Sequence, residues 1–431
     1  MGHSRKLWLG ALMVALVGVT PSVVPVGGSV MSASASDCSP ASATFPGDGQ
    51  SGSSGVDYQV LVFTNSSSCD WSVPTGVKQV DLLMIGGGGG GQGLAGGGAG
   101  ELLQRSDLAV SGAVSVTAGS GGSGDGGGNS TVGGDSSFGV LEASGGAQGG
   151  YNSNGYDSAS GASGGGGTRG TYVGGFSTDD SDAETFGSNG AAGAGTGSPV
   201  VGGGGGGAGG VPDATVATFG GVKSFGGSGK ESTIVPASVA TALEVGEVSG
   251  ESVYFAGGGS GGCGNSGCDN ASLTGGIGGG GDGSNAYNPG DGSASTGGGG
   301  GGSNTYAGSG GNGGSGVVIL RYSLNPGQPT STSVVSGDGA ITLDYTLPSY
   351  TGGGTVSLEY QILLASDSST VKDWTDLGET DGTTTISPAE ISNGTLYTVK
   401  LRAVNTLPGG SYRSSDVTVG DVIPGPVGEI L

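Results

Sequence analysis

The 431-residue sequence predicts an all-β protein, and three observations carry that prediction. Apolar segments bounded by turn residues recur as strands do: Tyr58-Gln-Val-Leu-Val-Phe-Thr64, Val80-Asp-Leu-Leu-Met-Ile85 and Gly316-Val-Val-Ile-Leu-Arg-Tyr322. Between the second and third lies a glycine-rich tract, residues 86–316, punctuated by runs of pure glycine. Beyond Pro326-Gly-Gln-Pro329 glycine thins, and strand patterns return every eight to twelve residues or so, the spacing of a β-sandwich.

Composition alone argues for disorder, since 107 glycines and 16 prolines leave little to bury. Two features argue against it. The apolar third of the chain is clustered, not scattered, and the glycine runs match in length. Residues 86–91, 202–207 and 297–302 are all glycine, as are the shorter runs 164–167 and 278–281. In a left-handed extended helix of three residues per turn, a six-residue run spans roughly 19 Å at about 3.1 Å per residue. Such runs can pack side by side because glycine places no Cβ at the contact. A strict Gly-X-Y period is absent, which excludes collagen. The expectation is a laterally packed bundle of polyglycine II-type helices carried by β-strands. Ala113-Val-Ser-Val-Thr117 and Ser137-Phe-Gly-Val-Leu141 show the alternation of half-buried strands, with Val114, Val116, Phe138 and Val140 inward.

The N-terminus reads as a secretory signal, residues 1–35. Arg5 and Lys6 precede an apolar core at 7–19, Pro21 and Pro25 follow, and Ala33-Ser-Ala35 offers a small-residue cleavage site. Asp37 before Cys38 argues against lipid attachment there, and no later segment approaches membrane-spanning length. The expected product is secreted or at the cell surface, with no stable membrane insertion after cleavage. In that compartment four cysteines read as two local disulfides, Cys38 with Cys69 and Cys263 with Cys268. The formal net charge is −23, and cleavage would remove two cations and no acid. So acidic a chain repels phosphate backbones, which excludes nucleic acid as a partner and favours solubility.

The only histidine, His3, lies in the signal segment. The mature chain therefore has no Ser-His-Asp or Cys-His catalysis and no histidine-based metal site. Glycine-rich look-alikes fail on inspection. The Gly86 run matches a dinucleotide-binding Gly-x-Gly-x-x-Gly trivially, but more glycine follows in place of a helix. At Gly229-Lys230, Ser224 and Glu231 occupy positions where a phosphate loop needs Gly and Ser/Thr. Asp179, Asp180, Asp182 and Glu184 lack the glycine turn and terminal glutamate of a calcium loop and read as an exposed acidic segment. No cofactor, metal or enzymatic activity is expected. An enzymatic alternative would be a secreted carbohydrate-active protein using two carboxylates, and no spacing marks such a pair.

The order of these pieces resembles the glycine-rich domain of bacterial and phage surface and tail-fibre proteins. The matching residues are Phe63-Thr64, Trp71-Ser-Val-Pro-Thr-Gly-Val77, Val80 to Gly86, Gly96-Gly-Gly-Ala-Gly-Glu101, Val116-Thr-Ala-Gly119, Ser136-Ser-Phe-Gly139 and the strand ending at Tyr322. The resemblance implies a β-sandwich-like body at 57–324, after a leader at 36–56, whose interhelical loops present side chains to a ligand. Tyr151, Asn152, Asn154, Tyr156 and Tyr172 are the candidate ligand-loop residues. Residues 211–256 exceed a compact family member. After a linker at 325–329, residues 330–423 resemble a fibronectin type III domain, an immunoglobulin-like sandwich, with 424–431 as a tail or the start of a further linker. The match rests on Gly394-Thr-Leu-Tyr-Thr-Val-Lys-Leu-Arg-Ala-Val-Asn405. It implies that Tyr397 is a corner tyrosine, that Tyr345 and Tyr360 are core aromatics, and that Trp374 sits in a Trp-Thr-Asp-Leu-Gly turn. The functional expectation is adhesion or binding of an extracellular glycan or surface protein. A purely structural envelope component is the alternative.

Overall fold

The computed structural model describes residues 36–46, 56–151, 159–169, 175–177, 184–218, 221–305, 308–387, 389 and 391–426. The signal segment, Asn152, Asn154, Tyr156 and Tyr172 lie outside these, as do Asp179, Asp180 and Asp182. The fold is nearly all β, and residues 35–431 form one compact unit.

The organising element is a six-stranded, wholly antiparallel sheet. Its order is Thr185–Phe186, Leu102–Ala109, Gln79–Ile85, Val317–Ser323, Asp57–Phe63 and Ala41–Pro46. The last strand of the glycine-rich body thus lies between two of the earliest, with Leu320 opposite both Leu61 and Leu82. Because strand side chains alternate, each continuous apolar run supplies two faces. Val60, Val62, Leu83, Ile85, Val317 and Ile319 enter one core, while Leu61, Phe63, Leu82, Met84, Val318 and Leu320 enter the other.

A second sheet covers the latter face. Its order is Ser36–Asp37, Cys69–Ser72, Ala113–Thr117, Ser136–Phe138 and Leu141–Ala143. Trp71 closes this core between Phe63 and Phe138, with ring centroids 6.5 and 6.2 Å away. The Cys38–Cys69 disulfide ties the N-terminal segment to it. The expected strand at 137–141 is instead a hairpin: Gly139 turns at φ +61°, and Val140 is fully exposed at its tip. Only Phe138 of that pair points inward, because the turn breaks the alternation.

The opposite face is covered by the stretch that looked superfluous in the sequence. Lys230–Ser232, Ser252–Phe255 and Glu247–Ser249 form a three-stranded sheet, joined by a helix at Ala237–Leu243. Pro236 precedes that helix with a pre-set φ of −67°, and Glu244 ends it in the left-handed region. Ile234, Val235, Val239, Val245, Val253 and Phe255 bury themselves against the central sheet. Burying each large apolar side chain is worth about 1.5–3 kcal/mol, so this cover is a structural wall.

The first glycine run leaves the central sheet at Ile85, and all the runs are almost wholly buried. Their backbone hydrogen bonds repeat every third residue. The amides of Gly86, Gly89 and Gln92 donate to the carbonyls of Glu101, Gly98 and Ala95; Gly87 and Gly90 donate to Gly134 and Thr131; Gly88 and Gly91 donate to Gly314 and Gly311. Their carbonyls meet three further segments, accepting from Gly146 and Gly149, from Gly122, and from Gly300. One run is therefore bonded to six neighbouring segments. The same step recurs at Gly202, Gly205 and Ala208, which donate to Gly262, Gly259 and Ala256. Backbone amides here find their partners in other segments, which satisfies groups that would be costly to bury unpaired.

The C-terminal region is a two-sheet sandwich. Thr330–Gly337, Ala340–Thr346 and Gly382–Ile386 make one sheet; Thr370–Gly378, Thr355–Leu364, Tyr397–Leu407 and Gly410–Arg413 make the other, with Val417–Val422 also on Tyr397–Leu407. Tyr345, Tyr360 and Tyr397 are buried in its core. The Tyr397 hydroxyl accepts the Ser392 backbone N–H at 2.9 Å. Tyr397→Phe is expected to lower stability by about 1 kcal/mol, because that buried acceptor is lost while the ring remains. An unchanged denaturation midpoint would show that the bond contributes nothing. Trp374 is not in a turn. It lies within Thr370–Gly378, where the Arg402 guanidinium stacks on its ring at 3.9 Å and pairs with Glu359 at 2.6 Å. A cation–π contact and an ion pair across neighbouring strands outweigh the turn propensity of Asp and Gly there.

Candidate functional site

The glycine bundle has two ends. One merges with the central sheet; at the other the segments turn back. The shortest reversal is 92–95, closed by reciprocal backbone bonds between Gln92 and Ala95 at 2.9 and 2.8 Å. The Cys263–Cys268 loop joins it there, through Gly262 N–H to Leu94 O at 2.7 Å. Both predicted disulfides are thus formed, and the described residues contain no free cysteine.

Both loops singled out in the sequence spring from this far end. The first begins after Gly150, whose N–H donates to Gly166 O, and ends at Ala159, whose carbonyl accepts from Gly165 N–H. The second, residues 172–186, meets the same run at Gly175, whose N–H donates to Gly165 O, and ends in the central sheet, where Thr185 and Phe186 pair with Leu103 and Leu102. A single run, 164–167, therefore anchors both loop bases, and Gly166 N–H ties that run to Gly96 O. Tyr151 is half-buried beside Gly128, where an added Cβ would meet its ring at 3.3 Å. Asn152, Asn154, Tyr156 and Tyr172 lie outside the described residues. Glu184, grouped in the sequence with the acidic segment, pairs with Arg105 at 2.7 Å on the sheet side.

Sequence reasoning missed a third turn at the far end. Ser284 N–H donates to Gly302 O, and Asn285 Nδ2 donates to Cys268 O at 3.2 Å. Two residues on, Tyr287 is 77 % exposed. Its surroundings, Ser284-Asn-Ala-Tyr-Asn288, share the amide-and-tyrosine composition of Tyr151-Asn-Ser-Asn154, a signal that could have found it.

The junction between the body and the C-terminal sandwich carries a concave feature of its own. Asn325 Oδ1 accepts the Asp57 N–H at 2.6 Å, and its Nδ2 donates to Arg413 O at 2.6 Å. The fully buried Asn405 donates from Nδ2 to Leu324 O and Gly352 O. Tyr350 donates its hydroxyl proton to Ser323 O at 2.7 Å, and Thr351 Oγ1 donates to Thr75 O at 3.0 Å. Beside these contacts opens a cleft of about 300 Å³, bordered by Tyr58, Gln79, Asp107, Tyr322 and Tyr350, with Asp81 and Arg321 at its floor. The Arg321 Nε and Nη2 both bind Asp81 Oδ2, at 3.0 and 2.6 Å, because the strand register sets the two residues opposite each other. Arg321 Nη1 donates to the carbonyls of Thr233 and Ile234. Burial raises the pKa of the Tyr350 and Tyr322 phenols, so both stay protonated across the physiological range.

Among the described residues no helix is long and apolar enough to cross a membrane. Residues 64–323 match the family model described as a glycine-rich domain. No curated protein matches the chain.

Proposed function

The chain belongs to the glycine-rich domain family, and on that premise we propose an exported, non-catalytic surface or secreted protein that binds an extracellular glycan or surface protein through loops at the far end of its bundle. The observation that carries this reading is the shared anchorage of both loop bases on residues 164–167. Loop bases held by backbone bonds to the bundle fix where the loops emerge, which lowers the ordering cost of recognition at those bases. The glycine segments are polyglycine II-type helices in this reading, supported by the three-residue repeat of their hydrogen bonds and their six bonded neighbours. The C-terminal sandwich acts as a fibronectin type III-like spacer. Its strand order and the Tyr397 hydroxyl on Ser392 N–H support that assignment. Export is supported by the Arg5–Lys6 apolar leader and by two disulfides, which persist in oxidising compartments.

The test is glycan-array and whole-cell binding by residues 36–431 and by its Tyr151→Ala and Tyr287→Ala variants. Binding that falls at least tenfold in either variant, with melting unchanged, is the expected result. Undetectable binding by a fully protease-resistant protein would replace this reading with a mechanical envelope role.

A further inference from the structure

We propose that the junction cleft between the glycine-rich body and the C-terminal sandwich is a second binding site, for a single neutral sugar unit. The assignment starts from what its floor cannot do. Arg321 would be the natural anchor for a phosphate, sulfate or carboxylate, but its Nε and Nη2 are spent on Asp81 and its Nη1 on the carbonyls of Thr233 and Ile234. Among the described residues no other cation borders the cleft, and Asp107 adds a negative charge at its rim. An anion would meet a guanidinium already paired with Asp81 and, at the rim, the further carboxylate of Asp107, in a chain of net charge −23.

The walls carry the complementary chemistry. The hydroxyls of Tyr58 and Tyr322 point to a polyhydroxylated ligand, since each can donate and accept and neither bonds another described residue. Asp107 binds Gln79 Nε2 through Oδ1 at 2.8 Å, which leaves carboxylate acceptor capacity at the rim. Tyr58 cannot offer a ring face. Phe45 stacks on it at 5.6 Å and the Arg321 guanidinium lies 4.9 Å from its centroid. Recognition at Tyr58 therefore runs through its hydroxyl, which with the Asp107 carboxylate suits alcohol groups. The volume, about 300 Å³, sits at the lower end of small-ligand pockets and matches one ring better than an oligosaccharide.

The cleft is also rigid. Pro326 is buried in its wall, Gly327 N–H donates to Tyr350 O at 2.9 Å, and the Tyr350 hydroxyl is fixed on Ser323 O. Both halves of the molecule contribute to it, so the site exists only in the joined protein.

The probes are the methyl glycosides of glucose, galactose and mannose, titrated into residues 36–431 and followed by saturation-transfer NMR. At least one should bind saturably with a Kd in the millimolar range. Tyr58→Phe and Tyr322→Phe keep the rings and so the packing. Each should weaken binding roughly three- to tenfold, the worth of one hydrogen bond, while Gly197→Ala, at an exposed position where an added Cβ meets nothing within 4 Å, leaves it unchanged. The proposal is overturned if none of the three glycosides binds saturably, if both Phe variants bind like the parent, or if Tyr151→Ala abolishes binding. That last outcome would place the sugar at the loops, so failure here is distinguishable from failure of the loop reading.

Discussion

Replacing Gly205 by alanine is expected to destabilise the glycine bundle strongly, with a loss of roughly 3 kcal/mol or more. Gly205 is buried, donates its N–H to Gly259 O and accepts from Gly227 N–H. An added Cβ would fall far inside the 3.0 Å approach limit of real Cβ atoms, against the carbonyl of Gly97. That obstacle is backbone, and it belongs to a segment itself bonded to Gly300 and Gly259, so it cannot swing aside as a side chain would. Relief requires separating two glycine segments and breaking bonds on both. Gly197 is the internal control: it is exposed in the same tract, and a Cβ there meets nothing within 4 Å. Gly197→Ala should melt like the parent, since surface changes away from special features stay within about 0.5 kcal/mol. Comparable melting of Gly205→Ala and Gly197→Ala, read by calorimetry and by protease resistance of 86–316, would dismiss the tight lateral packing.

Removing the Cys38–Cys69 disulfide by a double Cys→Ser change should cost about 3 kcal/mol or somewhat more. Its sequence separation is 31 residues, and a cross-link over a loop of that size restricts the unfolded chain by about that amount. The loss is local before it is global. Segment 36–46 enters both large sheets, Ser36–Asp37 beside Cys69–Asp70 and Ala41–Pro46 as the edge beside Asp57–Phe63. Without the bond, hydrogen exchange should accelerate first in 41–46, exposing the 57–63 edge. Cys263–Cys268 spans a separation of only 5 and should cost less when removed. Equal destabilisation by the two double variants would contradict the loop-length argument.

The parts of this molecule legible in its sequence are those where one physical signal dominates. Asp57–Phe63, Gln79–Ile85 and Val317–Ser323 announce themselves because strands buried on both faces read as continuous apolar runs. Leu102–Ala109 does not, since only Leu102 and Leu103 are buried and Arg105, Ser106 and Asp107 carry no alternation. The cover at 230–255 was hidden for a related reason. Its strands are mostly polar, and the apolar residues that matter, such as Ile234, Val239 and Phe255, fall in turns, a short helix and a strand end. Cysteine pairing was legible from compartment and locality. The candidate sites were less so. Tyr151 was found by composition, whereas Tyr287 needed the fold to bring its turn to the same end. The junction cleft joins Tyr58, Asp81, Arg321 and Tyr350 from four distant segments, and strand register alone sets Asp81 across from Arg321.

The placement of Val317–Ser323 in the middle of the central sheet has a kinetic consequence. During synthesis this strand emerges after the entire glycine tract, yet both of its partners, Asp57–Phe63 and Gln79–Ile85, precede that tract. Until it arrives, the two earlier strands have an open seam between them, and Gly311 and Gly314, which accept from Gly91 and Gly88, are not in place. Contacts of such long sequence separation close slowly, because the chain entropy is lost before the pairing is gained. The central sheet therefore stays open through the synthesis of the glycine tract and closes late, when Val317–Ser323 enters between its two partners.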